Sequence, residues 1–166
     1  IRSRLISLVA VLSLGLVVVG TVGLLTAYDA RGRLQTVYED RTIPLGQISE
    51  INERMADNVL ALYGAASEAT AGRTVDTGSV TRRVEENIAA ITETWRRYMA
   101  SYLTPEEAQI AKSYADNRKA FVEQGLKPGV ALIAKSDFTT LNSFVTETLQ
   151  PLYIVAKGDA ERLMKL

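Results

Sequence analysis

The chain has 166 residues, 19 Lys and Arg against 19 Asp and Glu, no His, no Cys and 47% hydrophobic residues. Without His or Cys it can hold no Ser-His-Asp or Cys-His catalytic arrangement, no imidazole or thiolate metal site and no disulfide. A formal charge of zero, with both signs mixed along the chain, gives no basic face to neutralise nucleic-acid phosphates, so no metal, cofactor or nucleic acid is expected.

From Leu5 to Ala27 the chain carries no charge and only Ser7, Ser13, Thr21 and Thr26 as polar interruptions. As a helix rising 1.5 Å per residue this run is roughly 34 Å long, enough for a ~30 Å hydrocarbon core. It exceeds the ~7 to 15 apolar residues of a cleaved signal peptide, and no small-x-small cleavage site follows, because Tyr28 stands two residues before Ala30. The reading is an uncleaved membrane anchor over 5–27 with a cytoplasmic flank at 1–4. Arg2 and Arg4 balance Arg31 and Arg33 across it, so the N-terminus is taken as cytoplasmic without support from the charge count. Gly15, Gly20 and Gly23 lack the Gly-x-x-x-Gly spacing of close helix pairs.

Residues 28–166 read as helix with three interruptions and no sustained period-2 stretch. Ala71 to Gly78 is a small, polar loop. At Leu103-Thr104-Pro105-Glu106-Glu107, Thr104 is an N-cap, Pro105 takes the first helical position and two acids fill the first turn. At Ser136-Asp137 either residue can cap a new helix. Four helices result: Tyr28 to Thr70, Ser79 to Tyr102, Pro105 to Lys135 and Asp137 to Leu166. Short connections make neighbours antiparallel, so the predicted fold is all-α, an up-down-up-down antiparallel four-helix bundle whose first helix is continuous with the N-terminal transmembrane helix.

Each helix carries a seam at alternating 3 and 4 spacing. The first gives Leu45, Ile48, Asn52, Met55, Val59, Leu62, Ala66 and Ala69, and the second Val84, Ile88, Ile91, Trp95, Tyr98 and Tyr102. The third gives Ile110, Tyr114, Phe121 and Leu132, and the fourth Phe138, Leu141, Val145, Thr148, Leu152 and Val155. Trp95 and the tyrosines lie on these stripes and read as packing. Pro44, Pro128 and Pro151 each remove a helical hydrogen bond; they predict kinks, and for Pro128 with Gly125 and Gly129 a local break.

Counting 1.5 Å per residue from short turns puts Arg54 and Asn58 level with Glu93 and Ala89, with Thr148 and Leu152, and with a stretch between Tyr114 and Phe121. Arg54, Asn58, Tyr114, Arg118 and Thr148 are therefore the candidate ligand-binding residues, in one layer of the bundle. Tyr114 and Arg118 share a helix face. An arginine half-buried among aromatics stays charged and offers a planar fork of donors suited to a small carboxylate. The competing reading turns Arg118 outward to Asp116, Glu123 or solvent, and Arg54 likewise has Glu50 and Glu53 as surface partners. Arg82, Arg83, Glu85 and Glu86 read as a solvated face. Arg41 extends the first seam at the spacing 41, 45, 48 below the reach of the other helices. A second copy of the same helix would cover it, which makes Arg41, Ile48 and Asn52 candidate residues of a two-fold homodimer interface.

An N-terminal anchor followed by Tyr38-Glu39-Asp40-Arg41-Thr42-Ile43-Pro44-Leu45, then Ile48 and Ile51-Asn52, resembles the opening of the four-helix-bundle periplasmic sensor domain of bacterial methyl-accepting chemotaxis proteins. Phe121 to Pro128, Asp137-Phe138 and Leu149 to Tyr153 resemble its second half, in the same order and spacing. The resemblance implies an inner-membrane homodimer with its bundle in the periplasm, and with no catalytic constellation in the sequence no enzymatic activity is expected. It implies a small ligand, an organic acid or amino acid, and a helix shift that controls a chemotaxis kinase and adaptor through a cytoplasmic part. That part and a second membrane helix would follow Leu166. Family members that sense acids hold them with arginines, tyrosines and threonines on helices 1, 3 and 4, and Arg54, Tyr114, Arg118 and Thr148 stand in comparable places. Ala111, one turn before Tyr114, supplies no further cation, which disfavours a tricarboxylate. The alternatives are a sensor for a membrane histidine kinase or cyclic-dinucleotide enzyme, and a membrane-anchored adaptor bundle for a protein partner.

Overall fold

A computed structural model describes residues 15–16, 19–26 and 42–166 of the chain, which divides into two units at Thr42 and Ile43. In the first unit the described residues are helical and exposed, and Thr26 Oγ1 donates to the Val22 carbonyl at 2.8 Å. Among the described residues no helix is long and apolar enough to cross a membrane. The rest of the expected anchor, its flank and the first turns of the expected helix 1, Arg41 included, lie outside the described residues.

The second unit is helical throughout its ordered elements: α1 Ile43–Thr70, α2 Thr77–Met99, α3 Pro105–Ala120, α4 Lys127–Ala134, α5 Phe138–Phe144 and α6 Gln150–Leu163. The π-helical turns Phe121–Leu126 and Val145–Leu149 join α3 to α4 and α5 to α6 without a break, giving four rods. Each rod packs on its neighbours in sequence, and the fourth closes the ring against the first.

Local chemistry starts the rods. Asp76 accepts from the Ser79 N–H at 3.0 Å, so α2 begins two residues before the expected Ser79. Thr104 and Glu107 form a reciprocal capping box, at 3.2 and 2.7 Å, ahead of Pro105. Of the two candidates at the last connection, Asp137 is the cap, accepting from the Thr140 N–H, while Ser136 takes the left-handed turn at φ 55°.

The expected break at Pro128 does not occur, and its cause and that of the second π turn are the same. A proline has no N–H for the carbonyl four residues earlier. Widening the preceding turn lets the chain run on: the Lys127 N–H reaches the Val122 carbonyl, and the Gln150 N–H reaches Val145. The glycines close the packing instead of breaking it. A Cβ on Gly125 would stand 2.9 Å from Leu149 Cδ1, and one on Gly129 would stand 3.0 Å from Leu62 Cδ1.

Widening also shifts the phase of the buried stripe by one residue. Beyond the first π turn the core residue is Ile133, with Leu132 only partly buried; the second ends on the buried Leu149, beyond it the core runs through Ala156, Ala160 and Leu163, and the expected Val155 is 54% exposed. Tyr102, at 76%, lies past the end of α2, and Leu45 is 41% exposed. The remaining core includes Ile48, Ile51, Met55, Leu62, Val84, Ile91, Tyr114, Phe121 and Leu141, all fully buried.

Polar bonds tie the rods in pairs. Between the first two, Asp57 accepts from Arg83 through both carboxylate oxygens and from Asn87 Nδ2 at 2.9 Å. Arg83 thus reaches across from the expected solvated run. Between the last two, the buried Asp159 accepts from Ser113 Oγ at 2.7 Å and Asn117 Nδ2 at 2.8 Å. The Arg83 hydrogen bond holds the Asp57 carboxyl below its ordinary 3.8, with Asn87 helping and burial opposing. A carboxyl with a depressed folded pKa stabilises above its unfolded value and loses that contribution as pH falls. Arg83→Ala should therefore raise the Asp57 midpoint toward 3.8 in an NMR titration and flatten the loss of stability below about pH 5. An unchanged midpoint would contradict the assignment.

Candidate functional site

The five expected binding residues fall into three places. Asn58, fully buried on α1, accepts from Asn87 Nδ2 at 2.9 Å, and its own Nδ2 has no hydrogen-bond partner. Arg54 lies one turn away and donates to Asn87 Oδ1 at 3.2 Å and Glu50 Oε1 at 3.1 Å, so the expected surface partner holds it. Helix counting sets Arg54 level with Glu93 and Asn58 with Ala89; the partner of both, Asn87, is nearly two turns along α2 from Glu93 and close to Ala89.

Tyr114 and Arg118 form the second group, on the face of α3 toward α2. Tyr114 is fully buried, and its hydroxyl meets Met55 Sδ at 3.4 Å. Its ring stands edge-on to Trp95 at 5.0 Å, and Trp95 stacks on Tyr98 at 5.2 Å. Burial raises the pKa of Tyr114 and pushes Tyr98 up to about 12, Glu107 adding to the latter, so both hydroxyls stay protonated at neutral pH. The Arg118 guanidinium carbon lies 5.4 Å from the Trp95 ring centroid, a cation–π contact. Its Nε is buried without a hydrogen-bond partner, and the outward pairing with Asp116 or Glu123 is absent among the described contacts. Desolvation lowers its pKa, but an arginine remains charged at neutral pH.

Thr148 is half-buried in the second π turn on the fourth rod, and no described hydrogen bond joins it to either group. Of the expected interface residues, Ile48 is spent in the core of its own bundle, and Asn52 is half-buried with Oδ1 buried and unpartnered.

The sequence reading missed Asn87 and favoured packing over a ligand platform for Trp95. Asn87 had a legible signal: it stands at the 84, 87, 91 spacing of the α2 seam, where a polar side chain must find a partner inside. Trp95 is 9% exposed and does pack, but it also carries Arg118.

This arrangement can do one chemical thing well. A guanidinium without a carboxylate partner, half out of water and set on aromatic faces, binds an anion more strongly than a surface arginine, because less water competes for it. Among the described residues no group of His, Cys, Asp and Glu could hold a metal ion.

No curated protein and no solved structure gives a significant match. A family model described as Tar ligand binding domain homologue matches residues 1–166, the whole chain. The helical bundle is thus that of a chemoreceptor ligand-binding sensor domain, and the chain belongs to the Tar ligand-binding domain homologue family.

Proposed function

We propose that the chain is the sensory part of a transmembrane chemoreceptor that binds a small organic acid or amino acid in the periplasm through Arg118. The apolar run 5–27 is the anchor and 28–166 the sensor. The observation that carries the ligand reading is Arg118, which has a buried Nε without a partner and no carboxylate in reach of an ion pair among the described contacts. Burying a charge without its counter-ion costs stability, and a ligand carboxylate removes that cost. Tyr114 and Trp95 shape the layer around it, and Asn58 offers a second unpartnered donor. Arg54 and Thr148 are supporting residues.

In this reading the chain forms a homodimer through α1, where Leu45, Leu60 and Tyr63 are exposed and lie on one face with Asn52. Arg41 is included in this proposed interface from its place in the sequence, at the spacing 41, 45, 48. The ligand favours one of two packings, a shift on the order of 1–2 Å, and signals only if it binds the two with different affinity. Because Asp159 bonds the last two rods together, they shift as one body against the first two. The shift then controls a kinase and adaptor through a cytoplasmic part of the receptor.

Calorimetric titration of the detergent-solubilised chain with organic acids and amino acids, alongside Arg118→Ala, tests this reading. The expected result is saturable binding that weakens at least a hundredfold in the variant. Binding that survives the substitution would move the site elsewhere, and no binding at millimolar ligand would end the small-acid reading.

A further inference from the structure

The two π turns stand side by side. Phe121–Leu126 on the third rod packs against Val145–Leu149 on the fourth. A Cβ on Gly125 would stand 2.9 Å from Leu149 Cδ1, and the Phe121 and Tyr153 rings lie 6.0 Å apart. Pro128 and Pro151 each stand two residues beyond their turn and supply no N–H, so both rods are short of a backbone hydrogen bond at the same level. Helices bend where a proline or a π turn interrupts the ladder. The first two rods carry neither interruption at this level: Ile43–Thr70 and Thr77–Met99 are α-helical throughout, and their one proline, Pro44, lies in the first turn of α1.

The rods are fastened differently on the two sides of these turns. On one side α4 packs on α2 and α5 on α1, and the bare backbone of Gly129 brings α4 close to Leu62 of α1, where a Cβ would stand 3.0 Å from Leu62 Cδ1. On the other side α3 and α6 are bound to each other: buried Asp159 on α6 accepts from Ser113 Oγ at 2.7 Å and Asn117 Nδ2 at 2.8 Å, both on α3. The α3 backbone makes no comparable approach to α2, because the Trp95 and Tyr114 rings stand between them. α6 does pack on α1, but besides Asp159 its buried residues are Ala156, Ala160 and Leu163, two of them too small to interlock deeply. Of the described side-chain hydrogen bonds, the one that crosses from α3 or α6 to the first two rods runs from the Tyr114 hydroxyl to Met55 Sδ at 3.4 Å, and a thioether is a weak acceptor. The Arg118 contact with the Trp95 ring is the other tie.

We infer that the paired π turns are a hinge, about which α3 and α6 move together against α1 and α2 while α4 and α5 stay packed. A rod that lacks a backbone bond at one level bends there at less cost than elsewhere, and with both interruptions side by side the two rods bend about one axis. Gly125, with no side chain, lets the rods touch at that axis. Arg118 lies on the moving half and Trp95 on the fixed one, so a group bound between α2 and α3 acts on the hinge directly. The link to a ligand rests on the sensor reading above, and the hinge narrows the shift in that reading to the α3 and α6 half.

The chain has no cysteine, so spin labels attach only where cysteines are introduced. Arg96→Cys with Lys112→Cys spans α2 and α3, Glu86→Cys with Ala131→Cys spans α2 and α4, and Lys112→Cys with Val155→Cys spans α3 and α6; every one of these positions is exposed. Distances are read by pulsed electron spin resonance on the chain in detergent, without ligand. The expected result is an α2 to α3 distance distribution at least twice as broad as the other two. Deleting Gln124 and Thr146, with Pro128→Ala and Pro151→Ala, takes one residue from each π turn and restores the missing N–H, and should narrow that distribution to match the others. A distribution as narrow as the others in the unmodified chain overturns the hinge, as does one that stays broad once the turns are gone. Equal breadth between α2 and α4 means that whole rods move, and overturns it too. Acid binding is decided separately by calorimetry with Arg118→Ala, so the hinge and the sensor reading fail independently. Circular dichroism checks the fold of the shortened chain; if it does not fold, deletion of Thr146 with Pro151→Ala replaces it, and the same narrowing is expected.

Discussion

Replacing Arg118 by Met is expected to stabilise the bundle and abolish acid binding in the same protein. A residue kept for packing should cost stability when truncated. Arg118 is instead a cation with a buried, unpartnered Nε and only a tryptophan face for company. Methionine fills a similar space, keeps a favourable sulfur contact with the ring and removes the uncompensated charge. The gain should be of the order of 1 kcal/mol in urea unfolding, since exchange of buried ionic groups for apolar ones is commonly neutral to favourable. Function opposes stability at sites of this kind. Unfolding curves and calorimetry of the same preparation check both halves. A loss of more than about 1 kcal/mol in Arg118→Met would make the residue structural and remove the observation on which the ligand reading rests.

Phe121→Ala is expected to cost about 3–5 kcal/mol, the usual range for a large aromatic truncated in a core. Phe121 is fully buried at the first position of the first π turn, its ring 6.0 Å from that of Tyr153 on the fourth rod and within contact of Gly125. It sits where the two π turns meet, so little around it can move in to fill the space: Gly125 has no side chain and Leu149 already touches it. Out of a typical 5–15 kcal/mol for a domain, that loss should leave the bundle near its unfolding threshold. Tyr102→Ala is the matched control, because that ring is 76% exposed beyond α2 and should change stability by no more than about 0.5 kcal/mol. Equal losses in the two variants would contradict the packing described.

The N-cap at Thr104 ahead of Pro105, a cap at Ser136 or Asp137 and the seams through Ile48, Met55, Leu62, Val84, Ile91 and Leu141 were legible, because caps and helical periodicity are local properties of sequence. Arg118 and Tyr114 were legible as a pair on one helix face for the same reason. Their partner was not: Trp95 lies on another rod, and its register depends on the turn between Met99 and Pro105. Arg54 and Asn58 were placed in the layer of Arg118 by counting, yet they bond to Asn87, about two turns along α2 from Trp95. An error of one turn in helix register changes which side chains meet.

The sequence by itself determined that this is a helical bundle of four rods with an uncharged N-terminal run, no His or Cys chemistry and a candidate arginine on an aromatic face. It did so because composition, caps and periodicity act within one rod. The tertiary structure decided the phase of each rod after its proline, since a missing N–H can be met by a kink, a break or a π turn and only packing against Gly125, Leu149 and Leu62 selects the last. It also decided which polar groups go unpartnered, because whether Arg118 faces Asp116, Glu123 or Trp95 depends on how two rods are turned toward each other.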